Sequence, residues 1–137
     1  MFAASFFNIK TTPHMPHVIV EHSVNFPKNS VQKIQTEIQK IMTSITEGNF
    51  DADQCKCRSI SFDEYLVGLP NQESTSFIHI SIKILGGRSA EVRKKLATKT
   101  TEFVQKTFEE LQLKTKRCDI SVDVIEMDRE SYQKLRV

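Results

Sequence analysis

Four stretches of this chain alternate apolar and polar residues, and two longer ones repeat apolar residues at three- and four-residue intervals. That pattern predicts four strands and two helices. The first strand covers about residues 17 to 22 around the β-branched run Val18-Ile19-Val20. Asn25 to Ser30 supplies turn chemistry, with Asn29 or Ser30 as helix cap and Gln32, three residues beyond Asn29, as capping-box partner. The first helix then places Val31, Ile34, Ile38, Ile41, Met42 and Ile45 on one stripe, and Gly48 stands where a left-handed stop is expected. A second strand is expected from Cys55 to Val67, with Lys56, Arg58, Ile60 and Phe62 on one face. The turn cluster Gly68-Leu69-Pro70-Asn71 follows.

A third strand, Phe77 to Leu85, buries Ile78, Ile80, Ile82 and Ile84 and runs into Gly86-Gly87-Arg88-Ser89. Ser89 caps a second helix through about Leu111, its apolar side made by Val92, Leu96, Phe103, Val104, Phe108 and Leu111. Asp119 to Met127 is the fourth strand, and the last ten residues read as a polar tail or arm. The order is strand, helix, strand twice over. Such crossovers join parallel strands with a right-handed connection. The expected fold is therefore α+β: two β-α-β units forming a four-stranded mixed sheet with both helices on one face. The other face mixes apolar and polar side chains, so subunits are expected to pack through it, with the edge strands as a further surface.

At 137 residues the chain suits one domain, and nineteen basic against seventeen acidic residues leave a net charge of only +2. Nucleic acid is disfavoured by that balance and by the lack of an aromatic pair flanked by basic residues on an exposed strand. No apolar run approaches the roughly 20 residues that cross a bilayer. Cys55, Cys57 and Cys118 make an odd count without a convincing secretory leader, which favours reduced thiols in the cytoplasm. A zinc site would need a second close Cys or His pair, which the sequence lacks.

Residues 1 to 14, MFAASFFNIKTTPH, carry no sustained periodicity. They read as an extension: a weak leader, a tag, or upstream codons from a misplaced start. A start at Met15 is favoured because the fold signal begins abruptly there. Removal of Met15 would leave Pro16 with a secondary amine, whose pKa can be drawn below the usual α-amino value of about 8. With the extension attached, the same nitrogen is a tertiary amide without basicity. The plain alternative is that Pro16 opens a strand, a position proline tolerates. Arg88, after two glycines at a strand-to-helix junction, can meet a carboxylate in bidentate fashion beside the positive end of a helix. Taken alone, that stretch is a common turn and helix cap, and the arginine reads as structural or merely solvated. Lys56 and Arg58 are further cations on one strand face, and His17 and His22 are read as structural.

Met15-Pro16-His17-Val18-Ile19-Val20-Glu21, together with His79-Ile80-Ser81-Ile82-Lys83-Ile84-Leu85-Gly86-Gly87-Arg88-Ser89, resembles the 5-carboxymethyl-2-hydroxymuconate delta-isomerase family of the tautomerase superfamily. The likeness covers about residues 15 to 127, leaving 128 to 137 as the tail. It implies homotrimers of double β-α-β subunits and a cofactor-free proton transfer in aromatic catabolism. Pro16 would be the general base and a small unsaturated 2-oxo acid the substrate. Arg88 would bind a substrate carboxylate or the developing oxyanion. A further family arginine falls at Lys56 when Phe50 is placed in register, with Arg58 two residues on, so Lys56 or Arg58 would complete the substrate site. A lysine is a point charge and not a planar fork, which leaves the substrate open. The alternative is a catalytically inactive trimeric interaction protein of the same fold with its proline internal.

Overall fold

The computed structural model describes residues 16–70 and 74–137. The extension, Met15 and the Asn71 end of the predicted turn lie outside the described residues. The elements are β1 (His17–Ser23), α1 (Lys28–Ser44), β2 (Lys56–Phe62), β3 (Thr75–Leu85), α2 (Ala90–Leu111) and β4 (Arg117–Met127), with two short 3-10 turns, Thr46–Gly48 and Ala52–Gln54, between α1 and β2. The sheet order is β2-β1-β3-β4. Within each half the strands run parallel, β1 with β2 and β3 with β4, while β1 and β3 meet antiparallel at the centre. The two β-α-β units are thus joined side by side into the mixed sheet that the periodicity predicts.

The alternation along β1 and β3 explains why one sheet face closes. Val18 and Val20 of β1 and Ile78, Ile80 and Ile82 of β3 are wholly buried, in one cluster with Ile34, Ile38 and Met42 of α1 and Leu96 and Val104 of α2. Each such side chain contributes about 1.5–3 kcal/mol by leaving water, so this face holds the subunit together. The other face carries His17, Ile19 and Glu21, flanked in register by Lys56 and Arg58 of β2 and by Lys83, Ser81 and His79 of β3.

Several boundaries differ from the sequence reading, among them the starts of β3 and β4, which come two residues early at Thr75 and Arg117. Helix α1 starts after Pro27, not Asn29 or Ser30, and no side chain caps it. Pro27 has the extended backbone of a cap, and Ser30, inside the first turn, donates its hydroxyl to the Pro27 carbonyl at 2.6 Å. Gly48 is not a left-handed stop: α1 ends at Ser44 with Ile45 as its C-cap, and the left-handed residue is Asn49, φ 51°, which closes the 3-10 turn Thr46–Gly48. Glycine is needed at 48 for another reason: a Cβ there would stand 2.3 Å from the Phe50 ring. Strand β2 ends at Phe62 instead of Val67, because its partner β1 ends opposite it at Ser23. Beyond that point Tyr65, no longer part of a strand, donates its hydroxyl to the Thr75 carbonyl at the start of β3. Residues 128 to 137 fold back on the domain: Tyr132 packs edge-on against His17, and Lys134 and Arg136 donate to the Gln54 side chain.

Helix α2 begins as its sequence predicts. Ser89 Oγ accepts the Val92 N–H at 3.2 Å, and the residue before it in the turn but one, Gly87, has φ 118°, a backbone that side chains resist.

Candidate active site

Pro16 is buried at the mouth of β1, and its carbonyl accepts the Lys56 N–H at 3.0 Å. The β1–β2 register begins one residue on, with His17 opposite Lys56, which places the first residues of β2 beside the proline. His17 stands opposite Lys56 on one side and Lys83 on the other. Lys134 of the returning C-terminal segment joins them through its effect on His17. Arg58 extends NH1 to His17 Nδ1 at 3.1 Å, and His17 Nε2 lies 2.8 Å from the Tyr132 hydroxyl. Burial pulls the His17 pKa below its ordinary value, and the charges of Arg58, Lys56, Lys83 and Lys134 pull it further. The four charges that act on His17 among the described residues are all cations, so this end of the open face attracts an anion.

Arg88 stands in a second group at the edge of the same fold. Its Nε donates to the Gly48 carbonyl at 2.9 Å, NH1 to the Leu85 carbonyl at 3.1 Å and NH2 to the Asn49 carbonyl at 3.5 Å. The guanidinium carbon lies 4.5 Å from the centre of the Phe50 ring. Burial lowers the Arg88 pKa, and Arg129 adds to the effect. Arg129 in turn donates to the Gly86 carbonyl. Arg88 and Arg129 share a depression of about 320 Å³ with Gly87 and Ser89, at the opening of α2. Two guanidinium groups and a helix N-terminus there favour a carboxylate or other anion, with Glu47 on the rim as the opposing charge.

The four residues singled out from the sequence are thus placed in two groups: Pro16, Lys56 and Arg58 around the start of β1, and Arg88 with Arg129. Sequence reasoning missed Lys83, Arg129, Tyr132 and Lys134 and took His17 as structural. Lys83 was findable, being two residues short of the strand end on the polar face. His22, by contrast, is buried and donates Nδ1–H to the Ser23 carbonyl at 2.9 Å.

The three thiols, Cys55 and Cys57 around the start of β2 and Cys118 on β4, differ sharply from one another. Cys55 and Cys57 lie 3.7 Å apart. A hydrogen bond from Cys55 brings the Cys57 pKa to about 6 against the opposing effect of burial, and the Gln39 amide and Arg58 assist. Cys55 is pushed up by holding its proton toward Cys57 and by burial, and burial also raises Cys118. Iodoacetamide at pH 7 is therefore expected to label Cys57 first, with a rate that rises through about pH 6 and then levels. Peptide mapping that finds Cys118 labelled first would contradict this ordering.

The fold is that of the tautomerase superfamily: two joined β-α-β units in one four-stranded mixed sheet. A model of the 5-carboxymethyl-2-hydroxymuconate isomerase family matches residues 16–136, and the chain belongs to that family of isomerases. The match opens on Pro16 and includes the folded-back segment that carries Tyr132. Among solved structures, a 5-carboxymethyl-2-hydroxymuconate isomerase from Deinococcus radiodurans R1 superposes with a TM-score of 0.80 at 19% identity, over 91% of this chain and 92% of that one. A 5-carboxymethyl-2-hydroxymuconate delta-isomerase gives 0.67 at 12% identity, over 93% and 91%. A fused 4-OT symmetric trimer gives 0.62 at 10% identity, over 82% and 85%. At these identities the likeness is one of fold. No curated protein matches the sequence. Among the described residues, no helix is long and apolar enough to cross a membrane.

Proposed function

We propose that this chain, with its amino terminus at Pro16, is a cofactor-free tautomerase that moves a proton within a small unsaturated 2-oxo acid of the 5-carboxymethyl-2-hydroxymuconate type. One observation carries the reading: the residue on which the family match opens is the proline whose carbonyl holds Lys56, beside a cluster of cations at His17. As a secondary amine, Pro16 takes a proton from the enol hydroxyl or an allylic carbon and returns it to another carbon, leaving the double bond in conjugation with the carbonyl. The intermediate is a dienolate, whose charge the surrounding cations stabilise. The same cations disfavour the protonated amine and keep the base ready at neutral pH. Lys56, Arg58 and Arg88 are assigned to the substrate's carboxylates and oxyanion.

A homotrimer accompanies this reading. The symmetric trimer among the structural neighbours supports it, as does the apolar Ile60, 47% exposed on the edge strand β2. The free thiols Cys55, Cys57 and Cys118 suit a cytoplasmic setting. The decisive test is the intact mass and amino-terminal sequence of the untagged protein from its own source. Mature chains starting at Pro16 are expected. Mature chains that all retain residues 1 to 14 would overturn the base assignment and leave a tautomerase-fold interaction protein.

A further inference from the structure

The C-terminal segment places one phenol against the residue next to Pro16, and the hydrogen-bond partners on either side of His17 determine which way that phenol's proton faces. Arg58 can only donate. Its NH1 lies 3.1 Å from His17 Nδ1, so Nδ1 must be the bare, accepting nitrogen. A neutral imidazole with Nδ1 bare carries its hydrogen on Nε2. Nε2 lies 2.8 Å from the Tyr132 oxygen, so the ring donates and the phenol accepts. The phenol's own O–H is therefore directed away from His17, and among the described residues it meets no other acceptor.

An imidazolium would defeat this arrangement by turning an N–H toward the guanidinium. Burial and the cations Arg58, Lys56, Lys83 and Lys134 disfavour that form, and the phenol that faces the ring keeps its own proton, since burial raises the Tyr132 pKa. The phenol is also fixed in place. Tyr132 N–H donates to the Asp128 carbonyl at 3.0 Å in the turn after β4, its ring meets His17 edge-on at 5.9 Å, and Lys134 ties the chain beyond it to Gln54. A hydroxyl that already accepts a hydrogen bond is a stronger donor.

We propose that Tyr132 donates this hydrogen bond to the oxygen on which negative charge develops when Pro16 acts, with His17 and Arg58 as positioning residues that set the phenol's direction. The inference rests on the function proposed above and adds to it a neutral donor from a segment that reads as a tail. No proton leaves Tyr132. The bond strengthens as the carbonyl oxygen becomes an enolate and weakens again on ketonisation.

The test uses the chain beginning at Pro16, with phenylenolpyruvate as probe. Tyr132→Phe is expected to lower kcat about 10²-fold, the loss typical of one oxyanion donor, with KM within about threefold and thermal unfolding unchanged. His17→Phe, which removes the director but leaves the phenol, is expected to lose kcat by about tenfold on the same basis. Tyr65→Phe, far from the proline, is the control and retains the parental kcat. Nitrogen-15 NMR of the parent chain is expected to show His17 as the Nε2–H tautomer at pH 7. A parental kcat in Tyr132→Phe, or an Nδ1–H tautomer, overturns the Tyr132 assignment and leaves Pro16 as the base. A variant that loses thermal stability and KM but not kcat also overturns it, because the phenol then only packs. A parent chain without activity overturns the tautomerase reading and this assignment together.

Discussion

A chain that begins at Pro16 is expected to ketonise phenylenolpyruvate, and the same chain carrying Pro16→Ala is expected to lose on the order of 10²-fold in kcat/KM. A positioned general base contributes about 10²–10⁴-fold, and alanine leaves a primary amine in the same place, so the loss falls at the lower end. Retaining residues 1 to 15 has the larger effect. The Pro16 nitrogen is then an amide, and activity is expected to fall to background. The pH profile supplies an independent check. The amine must be unprotonated to act, so kcat/KM rises with pH through the pKa of the free enzyme's proline. On the proposed reading the cations Lys56 and Arg58 disfavour the protonated amine, so this rising limb is expected below the ordinary α-amino value of about 8. Replacing both by Gln removes the repulsion, and the rising limb is expected to move to higher pH. Equal rates for the Pro16→Ala and parent chains, measured over pH 5 to 9, would remove Pro16 from the mechanism.

The architecture was legible in the sequence because alternation reports directly which face of a strand is buried. Ile78, Ile80, Ile82 and Ile84 needed no knowledge of their partners to be read as core, and all are buried. The cap of α2 was equally local, since Ser89 meets an N–H three residues away. What depended on partners was less visible. The length of β2 is limited by the end of β1, and the cap of α1 involves a proline carbonyl that no propensity scale records. The site divides in the same way. Pro16 and Arg88 stand in recognisable local motifs, whereas the relay through His17 joins residues 41 and 115 positions apart. Tyr132 lies in a polar stretch with no periodicity, so nothing in its own neighbourhood announces that it returns to the head of β1.

Arg88→Ala is expected to lose about 10²-fold or more in kcat/KM and, unlike Tyr132→Phe, to lose stability as well, because on the function proposed above this guanidinium has two tasks. One is structural: it ties the carbonyls of Gly48, Asn49 and Leu85 together and rests on the Phe50 ring, pinning the turn after α1 to the end of β3. Hydrogen bonds to a charged group contribute about 1.5–3 kcal/mol each, and water replaces part of what is lost, so a fall of about 2 kcal/mol in unfolding free energy is expected. The other task is electrostatic, because the group faces the depression shared with Arg129. Arg88→Lys separates them. Lysine keeps the charge but lacks the planar fork that serves several carbonyls at once. It is expected to lose most of the stability, since the carbonyls of the turn are no longer all served, while recovering at least tenfold of the activity lost in alanine if long-range charge dominates. If instead a bidentate contact to substrate carboxylate is the major contribution, Arg88→Lys resembles alanine in KM. Comparison of a mono- with a dicarboxylate oxo acid then identifies the carboxylate: the penalty falls on both substrates if Arg88 holds the one they share and on the dicarboxylate alone if it holds the second. Unchanged kinetics for both acids in Arg88→Ala would confine this residue to the structural task and move anion binding to the cations around His17.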